Sequence, residues 1–170
     1  VDALEYDRVF DLAQPGDFIL SRLNAPLVAV TLGLLRRQKR ARMAGRDIGA
    51  GIANILRKLG FYGKSSIEDM LTKLDTWEIK TTSRLAAYGQ LVLVDRCHDQ
   101  AGMIRSLAEE STDTIDLTNR IEWLFTDDAG AEQVLCSSVH KAKGLETDRV
   151  YFLHETLYRR GVTPEEQNID

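Results

Sequence analysis

The sequence predicts an α/β fold, and three observations lead to this class. Short apolar runs at residues 133–138 and 150–153 are typical of buried strands, and a polar turn that contains a glycine joins them. A third such run, residues 17–22, is followed directly by a helical pattern. Residues 61–128, which lie between these strands, have mostly helical patterns. Strand, glycine-bearing turn and strand is a common arrangement at the edge of an α/β sheet that handles phosphate.

The composition fits one packed domain. The 170 residues are 44% hydrophobic, which suits a globular domain with at most a small insertion. No apolar run approaches the length of a membrane span, and no signal-peptide pattern is present, so we expect no membrane partner. The net charge of -4 argues against a surface that coats DNA, although it allows a local basic groove.

The two cysteines and the two chain ends give weaker indications. Cys97 and Cys136 are far apart in sequence and match no metal-ligand spacing, so we expect reduced thiols in a cytoplasmic protein. The chain begins at Val1 rather than at methionine, and we expect both ends to continue into a larger protein.

The first part of the chain contains a junction between a strand and a helix. Residues 1–16 have a mixed pattern and end in a turn. The strand at residues 17–22 ends in Arg22, and we expect Asn24 to cap the following helix, with Pro26 in its first turn. Ligands of α/β proteins bind at the carboxyl ends of strands, which makes Arg22 a candidate site residue.

A basic segment, residues 36–42, follows that helix and carries five positive charges in seven positions. It is either a solvated helix end, where cations suit the helix dipole, or a DNA contact, and the first interpretation is slightly favoured. A short strand and turn should cover residues 42–50, and a helix should run from about residue 50 to residue 59. Residues 63–65 resemble the end of a P-loop, but the required earlier glycine is replaced by Lys58 and a helix precedes them.

Three helices are expected within residues 61–128. The first is capped by Ser65 or Ser66 and runs through Thr76, and the second covers about residues 82–110. Within the second, residues 91–94 could instead form a strand. The third covers residues 116–125, in an acidic region that fits a solvated face better than a DNA contact.

The turn after residues 133–138 has the composition of a phosphate-binding loop. Its polar members and its glycine are Ser138, His140, Lys141, Lys143, Gly144 and Glu146. The glycine permits close approach of a phosphate, the lysines and the histidine supply positive charge, and the serine hydroxyl can donate a hydrogen bond. The glutamate can accept a hydrogen bond from a sugar hydroxyl. The alternative is that the charged residues are ordinary surface residues and that the glycine only turns the chain.

Two segments resemble motifs of the UvrD-like superfamily 1 DNA helicases. Residues 138–146, SVHKAKGLE, resemble motif V, whose pattern is Thr-x-His-x-x-Lys-Gly-Leu-Glu before a hydrophobic strand. Ser138 replaces the usual threonine and keeps its hydroxyl, whereas Thr147 replaces the usual aromatic residue. Residues 18–27 resemble motif IV, in which a strand ends in an arginine that contacts the γ-phosphate of ATP, and Arg22 matches that arginine.

The resemblance implies the second RecA-like motor domain of such a helicase. That domain is a three-layer α/β fold on a parallel sheet, formed here by residues 1–60 and 129–170 with a reduced helical insertion at 61–128. The family couples ATP hydrolysis, with Mg²⁺ on the triphosphate, to movement along single-stranded DNA. The P-loop and the acidic metal-binding motif belong to the N-terminal motor domain, the expected partner. Residues 165–168 resemble the start of motif VI, whose arginine would follow Asp170.

The resemblance also implies roles for single residues. Arg22 would act in catalysis on the γ-phosphate, Glu146 would bind the ribose, and Gly144 would allow close approach to the nucleotide. The DNA backbone would be contacted by Ser138, His140, Lys141 and Lys143. Two other interpretations stay open: a non-catalytic helicase-like module that binds only DNA or a protein, and an unrelated nucleotide-binding α/β domain.

Overall fold

A computed structural model describes residues 3–128 and 130–153. In chain order the elements are α1 (Ala3–Leu12), β1 (Phe18–Ser21), α2 (Asn24–Arg36), β2 (Ala41–Ala44), α3 (Arg46–Lys58), α4 (Ile67–Ala87), α5 (Leu91–Ala108), α6 (Thr114–Leu124), β3 (Phe125–Thr126), β4 (Val134–Ser138) and β5 (Val150–Phe152). None of these helices has the length and apolar character needed to cross a lipid bilayer.

The five strands form one sheet in the order β3-β2-β4-β1-β5, and all of its pairings are parallel. Helices flank this sheet, so the predicted α/β fold on a parallel sheet is confirmed. β1 lies between β4 and β5, and Ser21 is in register with Ser138. The two strand ends that carry the predicted site residues are therefore neighbours.

The two faces of the sheet are covered differently. One face packs on a large apolar core to which every helix contributes, and Ile19, Met43 and Cys136 point into it. The other face carries a smaller cluster of Phe18, Leu20, Ala44 and Leu135, against which Ala142 of the β4–β5 connection packs. Because neighbouring strand residues point to opposite faces and every residue of β1 and β4 is buried, these two strands are covered on both sides. The core that all the helices share thus covers one face of the sheet, and the β4–β5 connection packs on the other.

The start of α2 differs from the prediction. Asn24 does not cap the helix: it is the first helical residue, and the residue before it makes no side-chain cap. Its side-chain amide Nδ2 instead donates to Asp99 Oδ2 over 3.2 Å. The carboxylate of Asp99, on α5, accepts the backbone N–H groups of Asn24 and Ala25, which have no partner within the helix.

Helix α3 begins at Arg46, four residues before the predicted start. Gly45 has φ of 106°, a conformation that glycine adopts without strain, and this lets the chain turn directly from β2 into the helix. Gly49 lies inside α3 because a Cβ there would be 2.9 Å from Cδ2 of Phe125. Close packing thus explains Gly49, whereas a Cβ at Gly51 would make only an ordinary contact of 3.7 Å with the side chain of Gln100.

Residues 61–128 are mostly helical, as predicted, but the limits of the helices differ. Ser66 caps α4, since its Oγ accepts the N–H of Asp69, yet α4 continues to Ala87 instead of ending at Thr76. The alternative strand at residues 91–94 is wrong, because these residues form the first turn of α5. Asp113 caps α6, which ends at Leu124, so that Phe125 belongs to β3. Residues 3–12, which had no clear pattern, form α1.

Helices α4 and α5 form a hairpin whose outer part projects from the domain. The fully buried side chains of α4 are Met70 and Leu74, near its start, and no residue from 75 to 96 is fully buried. Tyr88 and Leu91 at the turn of the hairpin are 78% and 66% exposed. The outer helices are therefore held mainly by contacts with each other.

A polar cluster joins the two helices of the hairpin. The carboxylate of Glu78 on α4 contacts Nδ1 of His98 at 2.6 Å and the guanidinium of Arg105, both on α5. Arg105 also donates to Asp75 over 2.7 Å. Burial raises the pKa of Glu78, but the hydrogen bonds from Arg105 and His98 outweigh it, so the pKa lies below its ordinary value of 4.5.

The basic segment, residues 36–42, is engaged in contacts within the chain. Its cations and their partners are Arg36 with Glu110, Arg37 with the ring of Phe10, Lys39 with three carbonyl groups at the end of α1, Arg40 with Glu132, and Arg42 with the ring of Trp123. These contacts support a structural role for the segment over a DNA contact.

Candidate functional site

The carboxyl ends of β1 and β4 bring Arg22 and the predicted loop to one edge of the sheet. Ser21 and Ser138 are the last residues of these neighbouring strands. Just beyond them, the N–H of Val139 donates to the carbonyl oxygen of Ser21 over 3.0 Å. The exposed Arg22 therefore follows a residue that is hydrogen-bonded to the start of the loop.

The chain is fixed on both sides of Arg22. On one side, Ser21 Oγ accepts the N–H of Leu23 over 3.2 Å. On the other, Oδ2 of Asp99 accepts the N–H of Asn24 over 3.1 Å, and Oδ1 accepts that of Ala25 over 2.8 Å. A short link between two anchored points leaves the backbone of Arg22 little freedom.

Ser138 organises the loop that follows β4. It is 8% exposed, and its Oγ accepts the N–H of Lys141 over 3.3 Å. Its carbonyl oxygen accepts the N–H of Ala142 over 3.0 Å, which closes one helical turn. The hydroxyl oxygen is used by the loop, while its proton can still be donated to a ligand. His140 and Lys143 lie on this turn and are exposed.

Gly144 has the backbone conformation that glycine is needed for. Its φ is 84°, in the left-handed region, and apart from its chain neighbours no atom of residues 3–128 and 130–153 lies within 4 Å of where a Cβ would stand. The turn therefore favours glycine here, and the described part of the chain leaves the space beside it open. An open left-handed glycine is compatible with the close approach predicted from the sequence.

Lys141 connects the loop to the next strand-to-helix junction. Its Nζ is 2.7 Å from Oδ1 of Asp47, in the first turn of α3. The hydrogen bond from Lys141 holds the pKa of Asp47 below its usual range. Both side chains are largely exposed, so this ion pair orients the lysine more than it stabilises the fold. Its positive charge is consequently shared with a carboxylate.

Glu146 lies on the second face of the sheet, away from Arg22. It lines a cavity of about 550 Å³ together with Phe18, Leu20 and Val150. The next residue, Thr147, donates its hydroxyl to the carbonyl oxygen of Gly16 over 2.6 Å, at the amino end of β1. β1 has 4 residues and spans roughly 13 Å. The structure thus places Glu146 towards the opposite end of β1 from Arg22.

Two acidic residues that the sequence did not single out belong to this edge of the sheet. Asp99 holds the start of α2, and Asp47 holds Lys141. Asp99 is 75 positions from Asn24 and Asp47 is 94 positions from Lys141. No local pattern could connect such distant residues, because each pairing depends on how the helices pack.

Within residues 3–128 and 130–153, no group of three or more His, Cys, Asp or Glu side chains is placed to hold a metal ion. Arg22, by contrast, has the charge and geometry that suit a phosphate group. Comparison with protein-family models, with curated proteins and with solved structures gave no match.

Proposed function

We propose that this chain is the second motor domain of an ATP-dependent DNA helicase. In this role it contributes to the ATP cleft and to the track for single-stranded DNA. One observation carries the proposal: Arg22 directly follows the last residue of β1, and it lies beside the segment SVHKAKGLE, which begins at the last residue of the neighbouring strand, β4. Ligands of α/β proteins bind at this carboxyl edge of the sheet, which is where Arg22 and the start of the segment SVHKAKGLE lie.

The ATP side of the proposal is assigned to Arg22, Gly144 and Glu146. A guanidinium group at the transferring phosphoryl group stabilises the charge that is spread over its oxygens in the transition state. Glu146 would accept a hydrogen bond from the ribose. Glu146 and Arg22 lie towards opposite ends of β1, and this separation is compatible with ATP because the α- and β-phosphates lie between the ribose and the γ-phosphate. The N-terminal motor domain would supply the P-loop and hold Mg²⁺, which neutralises charge on the triphosphate.

The DNA side is assigned to the turn that begins at Ser138. His140 and Lys143 are exposed and can reach a phosphate backbone, and the Ser138 hydroxyl can donate. Lys141 would contribute only while sharing its charge with Asp47. Few phosphates can be neutralised by so small a set, so single-stranded DNA should bind weakly, without sequence preference and with strong sensitivity to salt.

The second candidate is a non-catalytic helicase-like module that binds DNA or a protein. The exposed apolar side chains at the turn of the α4–α5 hairpin favour a protein contact. Of the two candidates, only the motor requires Arg22 to act on ATP. ATP turnover is therefore the property that separates them.

The test compares three variants in the longest natural protein that contains this chain. Arg22→Ala should lower kcat for ATP by roughly 10³-fold and leave single-stranded DNA affinity nearly unchanged. Arg22→Lys should recover only part of kcat, because lysine keeps the charge and lacks the planar fork. His140→Ala should weaken DNA binding and DNA stimulation while sparing DNA-independent hydrolysis.

Lys80→Ala, an exposed position on α4, is the matched control and should change neither property. Thermal melts of all variants identify folding defects. If Arg22→Ala and His140→Ala reduced ATP turnover and DNA binding in equal proportion, the assigned division of roles would be wrong. A protein that binds DNA without any ATP turnover would support the non-catalytic module instead.

A further inference from the structure

Asp99 lies where the α4–α5 hairpin contacts the start of α2, beside the carboxyl end of β1. It lies on α5, and its two carboxylate oxygens accept three hydrogen bonds from the start of α2. Oδ1 accepts from the N–H of Ala25 over 2.8 Å, and Oδ2 accepts from the N–H and the Nδ2 of Asn24 over 3.1 and 3.2 Å. A carboxylate thus satisfies the first N–H groups of α2 and faces the positive end of its dipole.

The contact between α5 and α2 is close as well as polar. A Cβ at Gly102, one turn after Asp99 on α5, would be 3.0 Å from the Cβ of Ala25. The small residue lets the two helices approach at the point where the carboxylate caps α2. A displacement of α5 along its axis would therefore move the start of α2.

We propose that Asp99 is a positioning residue for Arg22. This inference rests on the proposed function, in which Arg22 acts on the γ-phosphate. Arg22 and Leu23 form the whole link between the last residue of β1, which the sheet holds, and Asn24, which Asp99 holds. Without Asp99, the start of α2 loses its cap, and the arginine side chain samples orientations that do not reach the phosphate.

The same contact couples the α4–α5 hairpin to the edge of the sheet at the carboxyl ends of β1 and β4, where Arg22 lies. Residues 75–96 project from the domain, and Asp99 lies in the turn of α5 that follows them. Glu78 and His98 hold α4 against α5 immediately before Asp99. A force on the outer hairpin is therefore transmitted along α5 to the cap of α2 and to the link that carries Arg22.

The test pairs Asp99 with a second capping aspartate that is far from the site. Asp113 caps α6 in a similar way, since its Oδ1 accepts the N–H groups of Ile115 and Asp116 over 2.9 Å each. Asp99→Ala and Asp113→Ala therefore remove comparable caps, and Asp99→Asn keeps one acceptor oxygen. Kinetics are measured on the longest natural protein, well below the melting temperature of every variant.

Asp99→Ala should lower kcat for ATP at least about tenfold, with KM and DNA affinity within about twofold, because only the transition-state contact of Arg22 is lost. Asp99→Asn should give an intermediate kcat, and Asp113→Ala should keep the kcat of the unmodified protein. Equal losses of kcat in Asp99→Ala and Asp113→Ala would reduce Asp99 to an ordinary helix cap and overturn the proposal.

Hydrogen exchange on the chain itself gives a second readout that needs no ATP turnover. Asp99→Ala should speed exchange of the amides of Leu23, Asn24 and Ala25 by roughly 5–30-fold, the factor expected for loss of one cap. Asp113→Ala should leave these amides unchanged. Unchanged exchange at residues 23–25 in Asp99→Ala would overturn the positioning role. Faster exchange in a protein that never hydrolyses ATP would instead refute the proposed function alone.

Discussion

Replacing Lys39 by methionine distinguishes a structural role of the basic segment, residues 36–42, from a DNA contact. The ammonium group of Lys39 donates to the carbonyl oxygens of Phe10, Asp11 and Ala13, at 2.6, 2.9 and 2.9 Å. These carbonyls lie at and just beyond the C-terminus of α1, where the helix leaves acceptors unpaired. Methionine keeps the unbranched, flexible stem of the side chain as far as Cε but removes the ammonium group, and with it the three hydrogen bonds and the charge.

The loss of stability follows from these contacts. A hydrogen bond to a charged group contributes roughly 1.5–3 kcal/mol, and a cation at a helix C-terminus adds about 0.3–1 kcal/mol. One half-buried ammonium shared among three acceptors does not deliver three full bonds. We therefore expect Lys39→Met to lower the free energy of unfolding by about 2–3 kcal/mol in total. For a chain of this length, that corresponds to a fall in Tm of roughly 4–12 °C.

Urea unfolding followed by circular dichroism measures the change, and single-stranded DNA binding is measured on the same samples. Lys80→Met, at an exposed position on α4, is the matched control and should stay within about 0.5 kcal/mol of the unmodified chain. Lys39→Arg should retain most of the stability. A Lys39→Met protein with unchanged stability and weakened DNA affinity would refute the structural role and support a DNA contact.

Four further outcomes are expected. Leu74→Ala, at a fully buried position of α4, should lower the free energy of unfolding by about 2–5 kcal/mol, whereas Leu91→Ala, at an exposed position, should change it by less than about 0.5 kcal/mol in urea titrations. Because the pKa of Glu78 in the folded chain is below 4.5, the stability that this carboxylate adds is present above that pH and is lost as the pH falls through the lowered value. Urea midpoints should therefore decline below pH 4.5, less steeply in Glu78→Gln. Gly144→Ala should cost about 1–2 kcal/mol through backbone strain alone, and Gly144→Asn less, by the same titration. The isolated chain should not hydrolyse ATP in a phosphate-release assay, and turnover that disappears in Arg22→Ala would contradict this.

Three strands, β1, β4 and β5, and helix α2 could be predicted from the local sequence pattern. β1, β4 and β5 were predicted within one or two residues because each contains a short run of apolar residues, and α2 was predicted from its apolar face. β3 was missed, since its two residues continue the pattern of α6 and become a strand only by pairing with β2. The sequence favoured a later start for α3 because residues 42–50, which include Gly45 and Gly49, were predicted to form a short strand and a turn.

The loop residues of the candidate site could be predicted together because they are consecutive. That Arg22 lies beside them depends on β1 pairing with β4, and no local pattern encodes the order of strands in a sheet. The same limit explains why Asp99 was missed: its acceptor role exists only because α5 packs across the start of α2. Asn24 was taken as the cap because its residue type is common there, and a distant carboxylate takes that place.

The rates at which the two buried thiols react with an alkylating reagent report how the chain opens. Burial raises the pKa of Cys136, in the central part of the sheet, to about 12, and burial followed by the charge of Glu78 raises that of Cys97 on α5. Only the thiolate reacts with alkylating reagents, so neither thiol is labelled at neutral pH while it stays buried. The labelling rate of Cys97 measures how fast the helical hairpin separates, and the labelling rate of Cys136 measures how fast the sheet opens. The ratio of the two rates therefore reveals, in a single unmodified chain, whether the hairpin moves on its own.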